Sequence, residues 1–205
     1  EDQAEHARSP GPLGKADVHE AVIGRRGRRH VEDAAEPPAV ESAPAPAGFS
    51  VQTQGGNAML RRMEHMTYVE WREAAKKTKT ALIPIGSIEM QGPHLPLGVD
   101  SMVAQHVAEK VAEKADAVLA PLIVVGSSEW HRNFPGMISL NKQTLTEYLR
   151  QYCRCLVRDG FTRLFFLSPH VFNDEPIGPV GLGLRDEGVL VGSVNLFHAT
   201  NELIP

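Results

Sequence analysis

From Thr67 onward, short apolar runs that suit buried strands alternate with longer segments of helical period. No other feature constrains the fold as strongly. Strands separated by helices are laid side by side in one direction, giving a parallel sheet covered on both faces. The strand-like runs are "TALIPIG" (80–86), "AVLAPLIVVG" (117–126), "FTRLFFL" (161–167) and "VLVGSVNL" (189–196). Thr67-Tyr-Val-Glu70 has the spacing of a capping box and predicts a helix to about Lys77. Val103, Val107 and Val111 stand at helical spacing, with Asp100 or Ser101 as the expected N-cap. After Asn141, the residues Leu145, Tyr148, Leu149, Tyr152 and Leu156 mark the apolar face of a helix closed by Asp159-Gly160. "DEPIGPVGLGL" (174–184) sits where the alternation calls for one more helix, but its three glycines and two prolines oppose it. An α/β domain normally ends on a helix that covers its last strand, so a stop at Pro205 reads as abrupt.

Residues 1 to 60 differ in kind. "EPPAVESAPAPAG" and the basic cluster "GRRGRRH" show no apolar period, so this part is expected to be a solvated, low-complexity tail. It has no continuous apolar core of the secretory type. The expected domain is therefore residues 61–205, within a chain of 205. A formal charge of −4 gives no reason to expect nucleic acid or an anionic membrane as partner. No apolar run approaches the ~20 residues that cross a bilayer. Cys153 and Cys155 lie two apart on a predicted helix and point different ways, which suits a reducing compartment and places the protein in the cytoplasm.

In an open parallel sheet, ligands bind at the carboxyl ends of the strands. Polar residues gather at those ends here. The first strand runs into "SIEMQGPHLPLGVD", with Glu89, Gln91, His94 and Asp100 on a proline-stiffened loop. The second runs into "GSSEWHRNFPG", with Ser128, Glu129, Trp130 and His131, and the third into "SPHVFND", with His170 and Asn173. Carboxylates joined by an imidazole suit Zn²⁺, Mn²⁺ or Fe²⁺. Glu89 and Asp100 could equally serve as caps of helices and turns, and spacing alone does not separate the two readings.

The same stretches resemble a known family. "PIGSIEMQGPHLPLGVD" is similar to the creatininase (creatinine amidohydrolase) signature Pro-x-Gly-Ser-x-Glu-Gln-His-Gly-Pro-His-Leu-Pro-Leu-x-x-Asp. "GSSEWHRNFPGMISL" resembles the family's Gly-x-Ser-x-Glu-His-x-x-Phe-Pro-Gly-Thr-Ile-Ser-Leu segment, and "LSPHVFN" takes the place of its Asn-Gly-His-x-x-Asn. The resemblance runs from about Met63 to Phe197. It implies a three-layer α/β/α sandwich with a mostly parallel sheet, assembled as a homohexamer. It also implies a metal-dependent hydrolase of cyclic or linear amides, usually holding two ions and an activated water. By position, Glu89, Asp100 and His170 match family metal ligands, with Asp100 in the place of the bridging carboxylate. Ser128 and His131 match the second motif and are expected to line the pocket, His131 as the residue that moves a proton. His94 matches the first motif's second histidine and is expected to stabilise its loop.

The departures bear on the metal. Gln91 stands where the family has a metal-binding histidine, and an amide oxygen is the weaker donor. Trp130 replaces a family glutamate, although Glu129 is adjacent, and Phe172 replaces a further metal glutamate of creatininase itself. Two carboxylates neutralise one divalent cation, so one ion per chain is expected. Two functions remain open. One is a single-metal amidohydrolase of a small-molecule amide, with Gln91, His94, Ser128, Glu129 and Trp130 beside the ligands or against the substrate. The other is a non-catalytic family member that serves as a binding or assembly subunit around a degenerate metal site.

Overall fold

A computed structural model describes residues 60–201; the tail expected upstream lies outside the described residues. Five strands form one parallel sheet: β1 (Arg61–Arg62), β2 (Thr80–Pro84), β3 (Val118–Leu119), β4 (Arg163–Ser168) and β5 (Leu190–Asn195). Their order across the sheet is β1-β3-β2-β4-β5, every pair parallel. Helices α1 (Tyr68–Lys77), α2 (Val99–Lys114), α3 (Lys142–Arg158), α4 (Asp174–Arg185) and α5 (Leu196–Asn201) complete the described chain.

The layers follow from the two-residue period of a strand. On β2, Ala81 and Ile83 enter one apolar cluster while Leu82 enters another. On β4, Leu164 and Phe166 take the first side, and Phe165 and Leu167 the second. The first cluster holds Trp71 of α1, Leu145, Leu149 and Leu156 of α3, and Ile177, Val180 and Leu184 of α4. The second holds Ala108 and Ala112 of α2. The sheet is thus sandwiched between helices, the three-layer α/β architecture expected from the alternation. Among the described residues no helix is long and apolar enough to cross a membrane.

Several local expectations hold. Thr67 Oγ accepts from the Glu70 amide while the Glu70 carboxylate accepts from the Thr67 amide, closing the capping box of α1. Asn141 caps α3 through the Thr144 amide, and Gly160 ends it at φ +99°. Both cysteines are free, Cys153 buried and Cys155 exposed. Burial pushes the Cys153 thiol up to about 12, so it packs as a small apolar side chain.

Three elements differ from expectation, each for a physical reason. The segment 117–126 keeps only Val118–Leu119 as regular strand, because Pro121 has no amide to donate. It re-engages β2 further on, where the Ile123 amide donates to Pro84 O at 2.9 Å. Helix α2 starts earlier than expected, after Gly98, which leaves Asp100 in the first turn rather than at the cap. Its buried face is Ser101, Ala104, Ala108 and Ala112, while Val103 is exposed: small side chains let the helix lie close to the sheet. The segment 174–185 is a helix despite its glycines and prolines. Pro176 falls in the first turn, where no amide donor is needed, and Pro176, Ile177, Val180 and Leu184 bury one face against the sheet and α3. Asp174 and Glu175 complement the helix dipole at that end. Tertiary burial outweighs the poor local propensity.

Candidate metal centre

Three segments meet at the carboxyl edge of the sheet: the loop after β2, the segment around 126–131 and the turn after β4. Close packing of backbone makes the meeting possible. A Cβ on Gly86 would lie 2.4 Å from the Ser101 Cα, and one on Gly126 would lie 2.4 Å from the Gly86 carbonyl. Glycine is therefore required at both positions, and through Gly86 the first turn of α2 is drawn onto the end of β2. Asn173, fully buried, ties the three segments together. Its Oδ1 accepts from the Ser127 amide at 3.1 Å, and its Nδ2 donates to Gly86 O at 2.9 Å and Ser168 Oγ at 3.2 Å.

Glu89, Asp100 and His170 offer one ligand atom each, all within 4.8 Å of one another. Glu89 and His170 are buried and Asp100 nearly so. The His170 Nε2 stands 2.8 Å from the Ser127 carbonyl. A carbonyl only accepts, so Nε2 carries the hydrogen and Nδ1 faces the carboxylates, 3.3 Å from Asp100 Oδ2 and 3.5 Å from Glu89 Oε1. A bare Nδ1 lone pair against two carboxylate oxygens would be repulsive. Positive charge belongs there, either a proton on Nδ1 or a cation between the three groups. Two carboxylates and an imidazole fixed by a backbone carbonyl fit a Zn²⁺-, Mn²⁺- or Fe²⁺-like ion in chemistry and charge.

Without a cation the proton takes that place. Burial alone would lower the His170 pKa, but the Asp100 hydrogen bond, the Ser127 carbonyl and the two acidic charges outweigh it and hold it above the ordinary 6.5. Burial would raise the Asp100 pKa, yet the hydrogen bonds from His170 and Ser87 and the His170 charge hold it below the ordinary 3.8. The raised histidine contributes stability that is complete below 6.5 and lost as pH rises through its folded value. The lowered carboxyl contributes stability that is complete above 3.8 and lost as pH falls through its folded value. Thermal melts of chelator-treated protein are expected to decline on the alkaline side of 6.5, and a His170→Gln variant to lack that decline. A variant that keeps the same alkaline slope would contradict the assignment.

The other sequence candidates fall into two groups. Gln91 and His131 touch the carboxylates. Gln91 Nε2 donates to Glu89 Oε1 at 3.0 Å and Asp100 Oδ2 at 3.3 Å, the same two oxygens that face His170. His131 Nδ1 stands 3.3 Å from Glu89 Oε2. The remaining four lie outside the ligand group. Ser128, expected to line the pocket, is fully buried behind the imidazole, its Oγ 3.4 Å from His170 Nε2. His94 is exposed, its ring over Gly92, where φ is +70°. Glu129 is exposed. Trp130 is exposed and stacks on Phe172, ring centroids 6.1 Å apart.

Sequence reasoning passed over Ser87 and Ser127. Ser87 Oγ donates to Asp100 Oδ2 at 2.6 Å, and a serine between a buried strand and an acidic loop was its only signal. Ser127 acts through its backbone carbonyl, which no side-chain pattern reveals.

Residues 64–202 match the family model for creatininase, described as creatinine amidohydrolase. The chain belongs to the creatininase family. Over 123 residues, 57% of this chain and 49% of the relative, it is 35% identical to the mycofactocin precursor peptide peptidase of Mycolicibacterium smegmatis. Over 111 residues, 51% of this chain and 43% of the relative, it is 31% identical to the creatinine amidohydrolase of Pseudomonas putida. A solved structure described as "Creatininase Mn" superposes with a TM-score of 0.59 at 26% identity, covering 67% of this chain and 58% of that one. The chain spans about half the length of the curated relatives it matches. Creatininase-family membership accounts for the parallel sheet flanked by helices.

Proposed function

We propose that this chain is a metal-dependent hydrolase of a carbon–nitrogen bond in a cyclic or linear amide, working with one divalent cation. The observation that carries the reading is the orientation of His170, whose Nδ1 is turned toward Glu89 and Asp100 by the Ser127 carbonyl. The names of the relatives, a precursor peptide peptidase and a creatinine amidohydrolase, support the same bond class.

Glu89, Asp100 and His170 would hold the ion. Such an ion lowers the pKa of water and polarises a carbonyl. The chain's own residues supply the rest. Glu89 divides its two oxygens, Oε1 toward Gln91 and His170 and Oε2 toward His131. A carboxylate only accepts, so His131 Nδ1 carries the hydrogen and Nε2 keeps a lone pair free to take a proton. His131 is one-third exposed, open to a substrate approaching Glu89, and would return that proton to the departing nitrogen. Ser87 holds Asp100 in position from behind.

A second reading has its own observation. Gln91 donates to both carboxylates and so satisfies them in part without an ion, as a non-catalytic binding or assembly subunit would allow. On either reading we expect assembly into homo-oligomers and residence in the reducing cytoplasm. Elemental mass spectrometry on protein supplied with Zn²⁺, Mn²⁺ or Fe²⁺ separates the two. About one ion per chain is expected in the unaltered protein and next to none in His170→Ala, since removing one of three ligands is expected to weaken binding by at least ~100-fold. Protein that emerges metal-free under all three supplies would exclude the metal hydrolase.

A further inference from the structure

Exposed aromatic rings that its acid–base chemistry does not use stand against the histidines of the candidate centre. Trp130 is 80% exposed, Phe134 47% and Phe172 36%. Isolated exposed apolar side chains are ordinary on any protein, but three such rings gathered at the histidines of one site are not. Each is continuous with the centre. Phe172 packs edge-to-face with the His170 ring, centroids 5.6 Å apart, and lies nearly parallel to Trp130, 25° between the planes. Phe134 packs edge-to-face with His131, centroids 6.2 Å apart. The two imidazoles nearest Glu89 are therefore each flanked by a phenyl ring, and an indole stands beyond one of them. An indole this exposed gains little from the fold itself. Its free face is suited to stack against a flat, apolar group.

We infer that Trp130 and Phe172 form a stacking shelf that selects the substrate of this site, and that the amide acted on carries an aromatic side group beside its carbonyl. This rests on the amide-hydrolase reading for the bond cleaved, but not for the shelf, which needs only the rings. Phe172 adjoins His170 and therefore places the recognised group next to the reacting carbonyl, within reach of a side chain on the neighbouring carbon. Trp130 belongs to the same turn as His131 (Glu129–His131), so the shelf and the proton-moving residue are fixed by one piece of backbone.

Trp130 is one of two tryptophans in the chain, and the other, Trp71, is buried against Phe161. Iodide-quenchable emission therefore reports on Trp130. On the full chain, with and without Zn²⁺, N-acetylphenylalaninamide is expected to protect that emission, whereas N-acetylglycinamide is not. Calorimetry should give the phenylalanine amide a Kd at least about fivefold lower, the value of one aromatic stack. Calorimetry on Trp130→Ala should bring the two amides to parity, and Phe172→Leu, which keeps bulk but removes the ring, should do so in part.

Equal Kd for the two amides in the unaltered protein, or a preference that survives Trp130→Ala, would overturn the shelf. So would Trp130 emission already shielded from iodide in a concentration-dependent way, since a second copy of the chain would then cover the rings. Metal content measured on the same samples after supply of Zn²⁺, Mn²⁺ or Fe²⁺ keeps the two ideas apart. Aromatic preference in protein that takes up none of the three supports the shelf and removes the hydrolase, and metal uptake without the preference does the reverse.

Discussion

Replacing Asn173 with leucine is expected to cost the domain about 3–5 kcal/mol, a large part of the ~5–15 kcal/mol that typically holds a domain folded. Leucine has nearly the same size and shape, so volume is not the cause. The cause is that the Ser127 amide and the Gly86 carbonyl, both deep in the structure, would each lose a partner that water cannot replace. Each such loss costs about 1–3 kcal/mol. The damage would reach the metal centre, because Ser127 also supplies the carbonyl that orients His170. Urea unfolding should therefore show the lower midpoint and zinc titration a weaker site. An Asn173→Asp variant sharpens the test. It keeps the acceptor for Ser127 but sets an oxygen against the Gly86 carbonyl, so it should fall below the unaltered protein as well. A leucine variant within about 0.5 kcal/mol of the original, the usual range for inert surface changes, would show that the asparagine ties nothing together.

The second large effect concerns Gln91. Its amide nitrogen lies on the two oxygens, Glu89 Oε1 and Asp100 Oδ2, that a cation would need. In Gln91→His, a donor that competes with the ion becomes an imidazole able to ligate it. Zinc affinity is expected to rise by about tenfold to a hundredfold, the range over which groups touching a metal site tune it. Competition against a chromophoric chelator measures this directly. If the unaltered protein binds none of Zn²⁺, Mn²⁺ and Fe²⁺ and the histidine variant does bind zinc, the non-catalytic reading gains and the hydrolase reading is lost. If affinity falls, Gln91 is itself a ligand through its oxygen, and its placement as a donor is wrong.

Much of this architecture was legible in the sequence because it rests on side chains. The capping box at Thr67 and Glu70, the Asn141 cap and the alternation of apolar runs each follow from residue type and spacing. The acidic loop after β2 and the histidine after β4 could be paired because strand ends in a parallel sheet converge. Other features rest on backbone and are silent in a residue string. The Ser127 carbonyl that fixes the His170 tautomer is one. The approach of Ser101 to Gly86 is another, visible only as a glycine whose need is unexplained. Asn173 was noticed as polar, but its role depends on three partners up to 87 positions away. The helix over 174–185 was obscured for the opposite reason. Its local chemistry argues against it, and only burial against the sheet and α3 decides the outcome.

The tie made by Asn173 also divides the labour between conserving geometry and varying selectivity. The placement of the three ligands is set from beneath, by strand ends laced through one hidden amide, and not by the exposed residues beside them. Apart from His131, which touches Glu89, the turn from Glu129 to Pro135 is then free to change character without disturbing what lies below. A library randomised at Trp130, Arg132 and Phe134 should retain folded, zinc-competent members at high frequency while their choice of ligand drifts, which makes this exposed turn the natural place to retrain the scaffold.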